Sequence, residues 1–134
     1  MNLVHCGDEC IRFYEFAGLN FKYQDALFSN RAKLQKFLSI GWVGGNSVVG
    51  TADGNLYRFI GRQLDGMVQA HVGPVNAIAS SNDGICSAGT DGFVKIWSRI
   101  LECRIMVDLK DLHVLNTNAR CISWDADMGR ALIG

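Results

Sequence analysis

Serine, histidine and aspartate are the side chains of nucleophilic hydrolysis, and this chain sets one of each close together. His71, Ser87 and Asp91 are followed by Trp97, six residues beyond the aspartate. Hydrolysis needs a serine on a strained elbow with an oxyanion hole beside it. Neither motif accompanies Ser87. Repeat spacing accounts for all four residues, so the expectation is a structural set with no catalytic residue. His5, Cys6 and Cys10 form a second cluster. A structural metal site needs a second ligand pair, and none is in view. Both cysteines fall in or beside strand-like segments, where a thiol packs as a small apolar group. The expectation is no metal and no cofactor.

Three further features invite a chemical reading. Gly44-Gly45-Asn46 has the glycines of a phosphate loop, but no lysine and no helix follow, so it reads as a hairpin turn. Arg31, Lys33 and Lys36 place three basic residues in one six-residue window. They are a possible contact for an acidic partner, or an ordinary solvated loop with Leu34 and Phe37 turned inward. Phe21, Tyr23, Trp42 and Tyr57 are expected to pack sheets rather than stack on bases, because the formal net charge is zero.

Behind these residues lies a repeat. Thr51-Ala52-Asp53-Gly54-Asn55-Leu56-Tyr57-Arg58-Phe59 returns 38 residues later as Gly89-Thr90-Asp91-Gly92-Phe93-Val94-Lys95-Ile96-Trp97. In each copy an Asp-Gly turn (Asp53-Gly54, Asp91-Gly92) opens an alternating strand that ends on an aromatic residue. Strand patterns also run over 11–16, 37–43, 75–79, 85–88, 103–109, 119–124 and 130–133, and no stretch has a helical period. Inner strands start at Phe37, Val75 and Ala119, and third strands end at Tyr14, Phe59 and Trp97. Four strands per unit of about 40 residues predict an all-β fold, a partial β-propeller of four-stranded antiparallel blades.

On this reading residues 1–30 are outer strands of one blade, 31–70 an atypical blade, 71–112 a regular blade and 113–134 the inner half of another. A propeller closes with about 4–8 blades, so the chain is expected to be a piece of a longer protein or to need partner blades. Its 134 residues are 49% hydrophobic with 15 glycines and one proline, which suits many tight turns. Zero net charge leaves no global field for nucleic acid or an anionic membrane. No uncharged stretch is long enough for a membrane span, and no signal peptide follows Met1. Five cysteines without a Cys-x-x-Cys pair point to a reducing compartment.

The spacing of His71, Ser87, Asp91 and Trp97 resembles the WD-repeat family. In that family the four form a hydrogen-bonded line across each blade. The resemblance implies that Asp91 accepts from His71 and from the tight turn, that His71 meets Ser87, and that Ser87 meets the Trp97 indole. The chain departs from the pattern in several places. Trp97-Ser98 stands where Trp-Asp is usual, and Trp124-Asp125 falls on an inner strand. The unit ending at Phe59 has Val49 in the place of Ser87 and no histidine ahead of it, so no such line is expected there. Arg58 occupies a position that is apolar in the other copies (Phe13, Ile96).

A narrower resemblance covers nearly the whole chain. Cys10-Ile11-Arg12-Phe13-Tyr14, Phe16-Ala17-Gly18, Phe28, Arg31-Ala32-Lys33-Leu34-Gln35 and Trp42-Val43-Gly44 carry its first half. Gly50-Thr51-Ala52-Asp53-Gly54, Gln69-Ala70-His71, Ile122-Ser123-Trp124 and Leu132-Ile133-Gly134 continue it. Together they are similar to the echinoderm microtubule-associated protein-like family. That implies a non-enzymatic, microtubule-associated propeller segment, with tubulin as partner and a cytoplasmic, cytoskeletal location. The alternative is a general WD-repeat scaffold that never touches microtubules. A propeller enzyme with its site in other blades is the third reading.

Overall fold

The structure, a computed structural model, describes residues 2–28, 30, 32–113, 115–125 and 129–134, with Asn2 by its backbone alone. Arg31 lies outside the described residues. Among those described, the chain forms four antiparallel sheets, each a meander in which consecutive strands are neighbours. The first holds β1 (Asn2–Cys6), β2 (Ile11–Ala17) and β3 (Asn20–Asp25). The second holds β4 (Phe37–Val43), β5 (Asn46–Thr51), β6 (Asn55–Ile60) and β7 (Gln63–Gln69). The third holds β8 (Val75–Ser80), β9 (Gly84–Gly89), β10 (Phe93–Ser98) and β11 (Cys103–Asp108). The fourth holds β12 (Ile122–Asp125) and β13 (Arg130–Ile133).

Three strands are given no span in the sequence expectation, although four strands per unit call for them: β1, β3 and β7. Every residue of β3 is exposed, and β7 fully buries only Leu64. Ladder hydrogen bonds to β2 and β6 hold them as outer strands, with Arg12 opposite Asp25 and Tyr57 opposite Met67. Other expected boundaries also shift. The strand expected from Ala119 starts at Ile122, because the Arg120 and Cys121 N–H groups both go to the Gly134 carbonyl, at 2.7 and 3.0 Å. The strand expected to reach Leu109 stops at Asp108, whose carboxylate caps a single 3₁₀ turn over Leu109–Leu112.

The core forms between sheets. Alternation along β5 and β6 sends Val49, Tyr57 and Phe59 one way, to pack with Ile11 of the first sheet. It sends Val48 and Leu56 the other way, to pack with Val75, Ile85 and Trp97 of the third. A third cluster joins Ala77, Cys86, Ala88 and Val94 to Ala119, ahead of the fourth sheet. The second strands β5 and β9 are therefore buried on both faces. Each buried Val, Leu, Ile or Phe contributes about 1.5–3 kcal/mol.

Gly50 shows how closely the sheets approach. A Cβ placed there would lie 2.8 Å from Val75 Cγ1 and 2.9 Å from Val75 Cβ, in the neighbouring sheet. Gly50→Ala is expected to destabilise the fold by about 1–3 kcal/mol, the cost of overpacking a filled interface. Urea denaturation measures it, and an unchanged midpoint would mean that the sheets sit farther apart.

Candidate functional site

His71 leaves the end of β7 and reaches across the next sheet. Its N–H and that of Ala70 both bond the Gly54 carbonyl, at 2.9 Å each, which ties the connection to the Asp53-Gly54 turn. Gly54 has φ +92°, a left-handed conformation open to glycine. The imidazole lies over Gly89, where a Cβ would meet Nδ1 at 2.6 Å. The sequence pattern did not single out Gly89, and the repeat carried no signal for it, since Thr51 holds the aligned place in the other copy.

The four residues of the resemblance are brought into one line. His71 Nδ1–H donates to Asp91 Oδ1 and Oδ2, at 2.9 and 3.1 Å. The Val72 and Phe93 N–H groups bond the same carboxylate, at 3.0 and 3.1 Å. Ser87 Oγ–H donates to His71 Nε2 at 2.8 Å, and the Trp97 indole N–H donates to Ser87 Oγ at 2.8 Å. A carboxylate accepts only, so Nδ1 must carry the imidazole proton and Nε2 must accept. One tautomer then satisfies every bond.

Burial holds the His71 imidazole below its ordinary pKa of 6.5, more strongly than Asp91 raises it, so the ring is neutral near pH 7. For Asp91, burial pushes the carboxyl up, but the bonds from Val72, His71 and Phe93 outweigh it and leave the group below its ordinary value. Asp91, His71 and Ser87 thus have the connectivity of a hydrolytic triad. Two features disarm it. Ser87 is 0% exposed, and its oxygen already accepts the indole N–H. No carbonyl can reach it, so the set locks the sheet and attacks nothing.

Among the described residues the second sheet lacks the histidine line, as expected, and holds a polar line of different residues that the sequence pattern did not foresee. Thr51 Oγ1–H donates to Asp53 Oδ1 at 2.6 Å, and Asn55 Nδ2 to the same atom at 2.8 Å. The Asp53 N–H bonds Gln35 Oε1 at 3.0 Å, and Gln35 Nε2 reaches the Tyr57 hydroxyl at 3.4 Å. Gln35 stands in for the histidine, and a tyrosine hydroxyl extends the line past Val49. Arg58 is explained as well. It pairs with Asp65 and donates to the Arg99 carbonyl at 2.8 Å, clamping the second sheet to the third.

Lys33 and Lys36 are exposed in the connection ahead of β4. Leu34 is exposed too, against the expectation that it turns inward; Phe37 is buried. Lys36 lies opposite Asp8 in antiparallel backbone pairing, and the Glu9 N–H bonds the Gln35 carbonyl at 3.1 Å, so an acidic hairpin tip borders the basic residues. Phe21, Tyr23 and Trp42, expected to pack, are exposed; Tyr57 is buried. Gly92 has φ +83° at the Asp91 turn, and its carbonyl accepts from Leu109 N–H at 2.9 Å. Trp124-Asp125 ends β12, paired with Ala131 and Arg130. Among the described residues no three His, Cys, Asp or Glu side chains gather as a metal site.

Two outcomes follow from the polar line. Asp91→Ala strands two N–H groups and the imidazole, and is expected to cost about 1–3 kcal/mol in urea denaturation. A loss below about 0.5 kcal/mol would mean that the line does not hold the sheet. The second outcome concerns pH. A depressed imidazole pKa means that the unfolded chain takes up the proton first, so this contribution is full above 6.5 and is lost below it. The Asp91 carboxyl adds a second loss below 3.8. The denaturation midpoint should fall between about pH 7.5 and about pH 5.5, and His71→Asn should flatten that fall. An equal slope in the variant would remove His71 as its source.

No family model matches the sequence. Among solved structures, the chain is similar to a WD-repeat-type propeller chain in "Crystal Structure of Mitotic Checkpoint Complex", with a TM-score of 0.77 and 9% identity over 98% of this chain. It spans 41% of that chain's length. Matches extend to 356 solved chains, so the likeness identifies a widely used fold and no particular partner. The fold is all-β, a partial propeller of four-stranded antiparallel blades, and the narrower resemblance draws no support from these comparisons.

Proposed function

We propose that this chain is a non-enzymatic protein-interaction scaffold built from WD-repeat-type propeller blades. In this reading residues 1–30, 31–70, 71–112 and 113–134 are successive blade units, complete or partial. The observation that carries it is the sealed line of Asp91, His71, Ser87 and Trp97. Its chemistry is spent on rigidity, leaving turns and connections to meet other molecules. The finer proposal is that the partner is tubulin in microtubules, at a cytoplasmic, cytoskeletal location. It rests on the sequence resemblance alone. The general scaffold with soluble partners is the second reading, favoured by the likeness to a chain from a multiprotein complex.

The basic residues are a poor electrostatic anchor for either partner. Asp8 lies opposite Lys36, and Glu9 borders the same connection. An acidic surface approaching Lys33 and Lys36 would meet two carboxylates as well. Co-sedimentation of the protein with microtubules tests the finer proposal, and absence from the pellet at low salt would leave the general scaffold. Neutralising Lys33 and Lys36 together is expected to change binding by less than about threefold, the scale of screened surface charges. Loss of binding in that variant would restore them as the contact.

A further inference from the structure

A groove of about 280 Å³ lies between the first and second sheets, beside the Gly44-Gly45 and Gly61 turns. Phe13 lines it from the first sheet and Trp42 from the second. The indole is 39% exposed, although its neighbours on that face are core. The volume falls below the roughly 300–1,000 Å³ of sites that enclose whole small molecules. It suits one anchoring side chain presented by a larger molecule.

The charged groups here form no ion pair among the described residues. The Arg62 guanidinium makes one long bond, 3.4 Å to the Asp25 carbonyl, and forms no ion pair among the described residues. The Glu15 carboxylate on the same rim has neither an ion pair nor a hydrogen bond among them. Ser47 Oγ is the buried side-chain oxygen left unsatisfied among the described residues. Ser47 sits opposite both Trp42 and Phe59 in the ladders, so the three share a face, and Phe59 packs on Phe13 at 5.9 Å. An orphan hydroxyl thus lies behind the aromatic wall.

We propose that this groove docks a short extended peptide segment of a protein partner. An apolar side chain sits between Trp42 and Phe13, with an acidic residue on Arg62 and a basic residue on Glu15. A metabolite of one charge would leave one of these groups facing its like. A peptide can carry both signs on either side of an anchor, and it supplies backbone groups for hydrogen bonding. The inference rests on the scaffold reading and locates a binding surface for it.

Panning a phage-displayed random peptide library against the immobilised protein tests the groove. Enriched peptides are expected to share an apolar residue flanked by one acid and one base. Trp42→Ala should weaken a selected peptide at least about tenfold, as loss of an aromatic anchor does. Arg62→Glu, at an exposed turn that leaves the core alone, should weaken it comparably. Changing the peptide's acid to lysine should restore binding to that variant. No enrichment, or a selected peptide that binds Arg62→Glu as tightly as wild type, would overturn the groove. Enriched peptides that ignore both substitutions would also overturn it, while leaving the scaffold reading standing.

Discussion

Close face-to-face stacking of the sheets is the constraint on which the rest of this structure depends. It makes β5 and β9 strands with no solvent side. Such strands cannot follow the one-in, one-out alternation of a half-buried sheet. They must also be thin, and Gly50 shows the limit, since even a methyl group there would press into Val75. The same closeness lets one sheet bond the next directly. Ser39 Oγ donates to the Val75 carbonyl at 2.8 Å, and the Trp42 N–H bonds Ser80 Oγ at 2.7 Å. Hydrophobic area drives the sheets together without fixing direction. These few bonds, with the Arg58 clamp on Arg99, fix how one sheet sits on its neighbour.

A polar group in a two-sided strand has no water to fall back on. Ser87 is the clearest case. An unpaired buried hydroxyl would cost about 1–3 kcal/mol, and the line through His71, Asp91 and Trp97 satisfies it completely. Each member also constrains a different element: the connection before β8, strand β9, the turn after it, and β10. Sliding β9 by one residue would send Ser87 to the other face and strand its hydroxyl, His71 Nε2 and the Trp97 indole N–H. The line therefore contributes register as much as energy. Its likeness to a catalytic triad follows from shared hydrogen-bond logic, and burial separates the two.

The fold was legible where turn chemistry and burial coincide in sequence. Asp53-Gly54 and Asp91-Gly92 demand left-handed glycines, and Phe59 and Trp97 close strands that are buried, so the repeat and the sheet topology could be read. Strands β1, β3 and β7 could not, because ladder bonds hold them at sheet edges, where β3 is wholly exposed, β7 fully buries only Leu64 and β1 turns Val4 and Cys6 toward the core. The polar line of the third sheet was readable because a known pattern shares its residue types. The second sheet's line was not, because Gln35 and Tyr57 meet only in three dimensions and neither residue type announces a bond at that spacing. Leu34 was assigned inward by hydrophobicity alone, and nothing packs over it. The groove at Trp42 was hidden for a similar reason, since exposed aromatics and core aromatics look alike in sequence.

The two polar lines answer the same problem with groups of different acidity. In both, an aspartate braces an Asp-Gly turn and its carboxyl is held below its ordinary range by the hydrogen bonds it accepts, against the upward push of burial. The third sheet then relays the bonding through an imidazole, and the second through the amide of Gln35 and a phenol. The Gln35 amide does not titrate, so acid leaves its donor and acceptor roles unchanged. A protonated imidazole cannot keep its roles, because Nε2–H would then face the Ser87 hydroxyl as a second donor. Ser87 would have to accept from both the imidazole and the indole, and turn its own proton away from the acceptor it has in the neutral state. Protonation of His71 therefore strains β8–β11 and leaves the bonds made by the Gln35 amide intact. The uneven response comes from one ring in one sheet, and it belongs to the interior of the fold rather than to any surface charge.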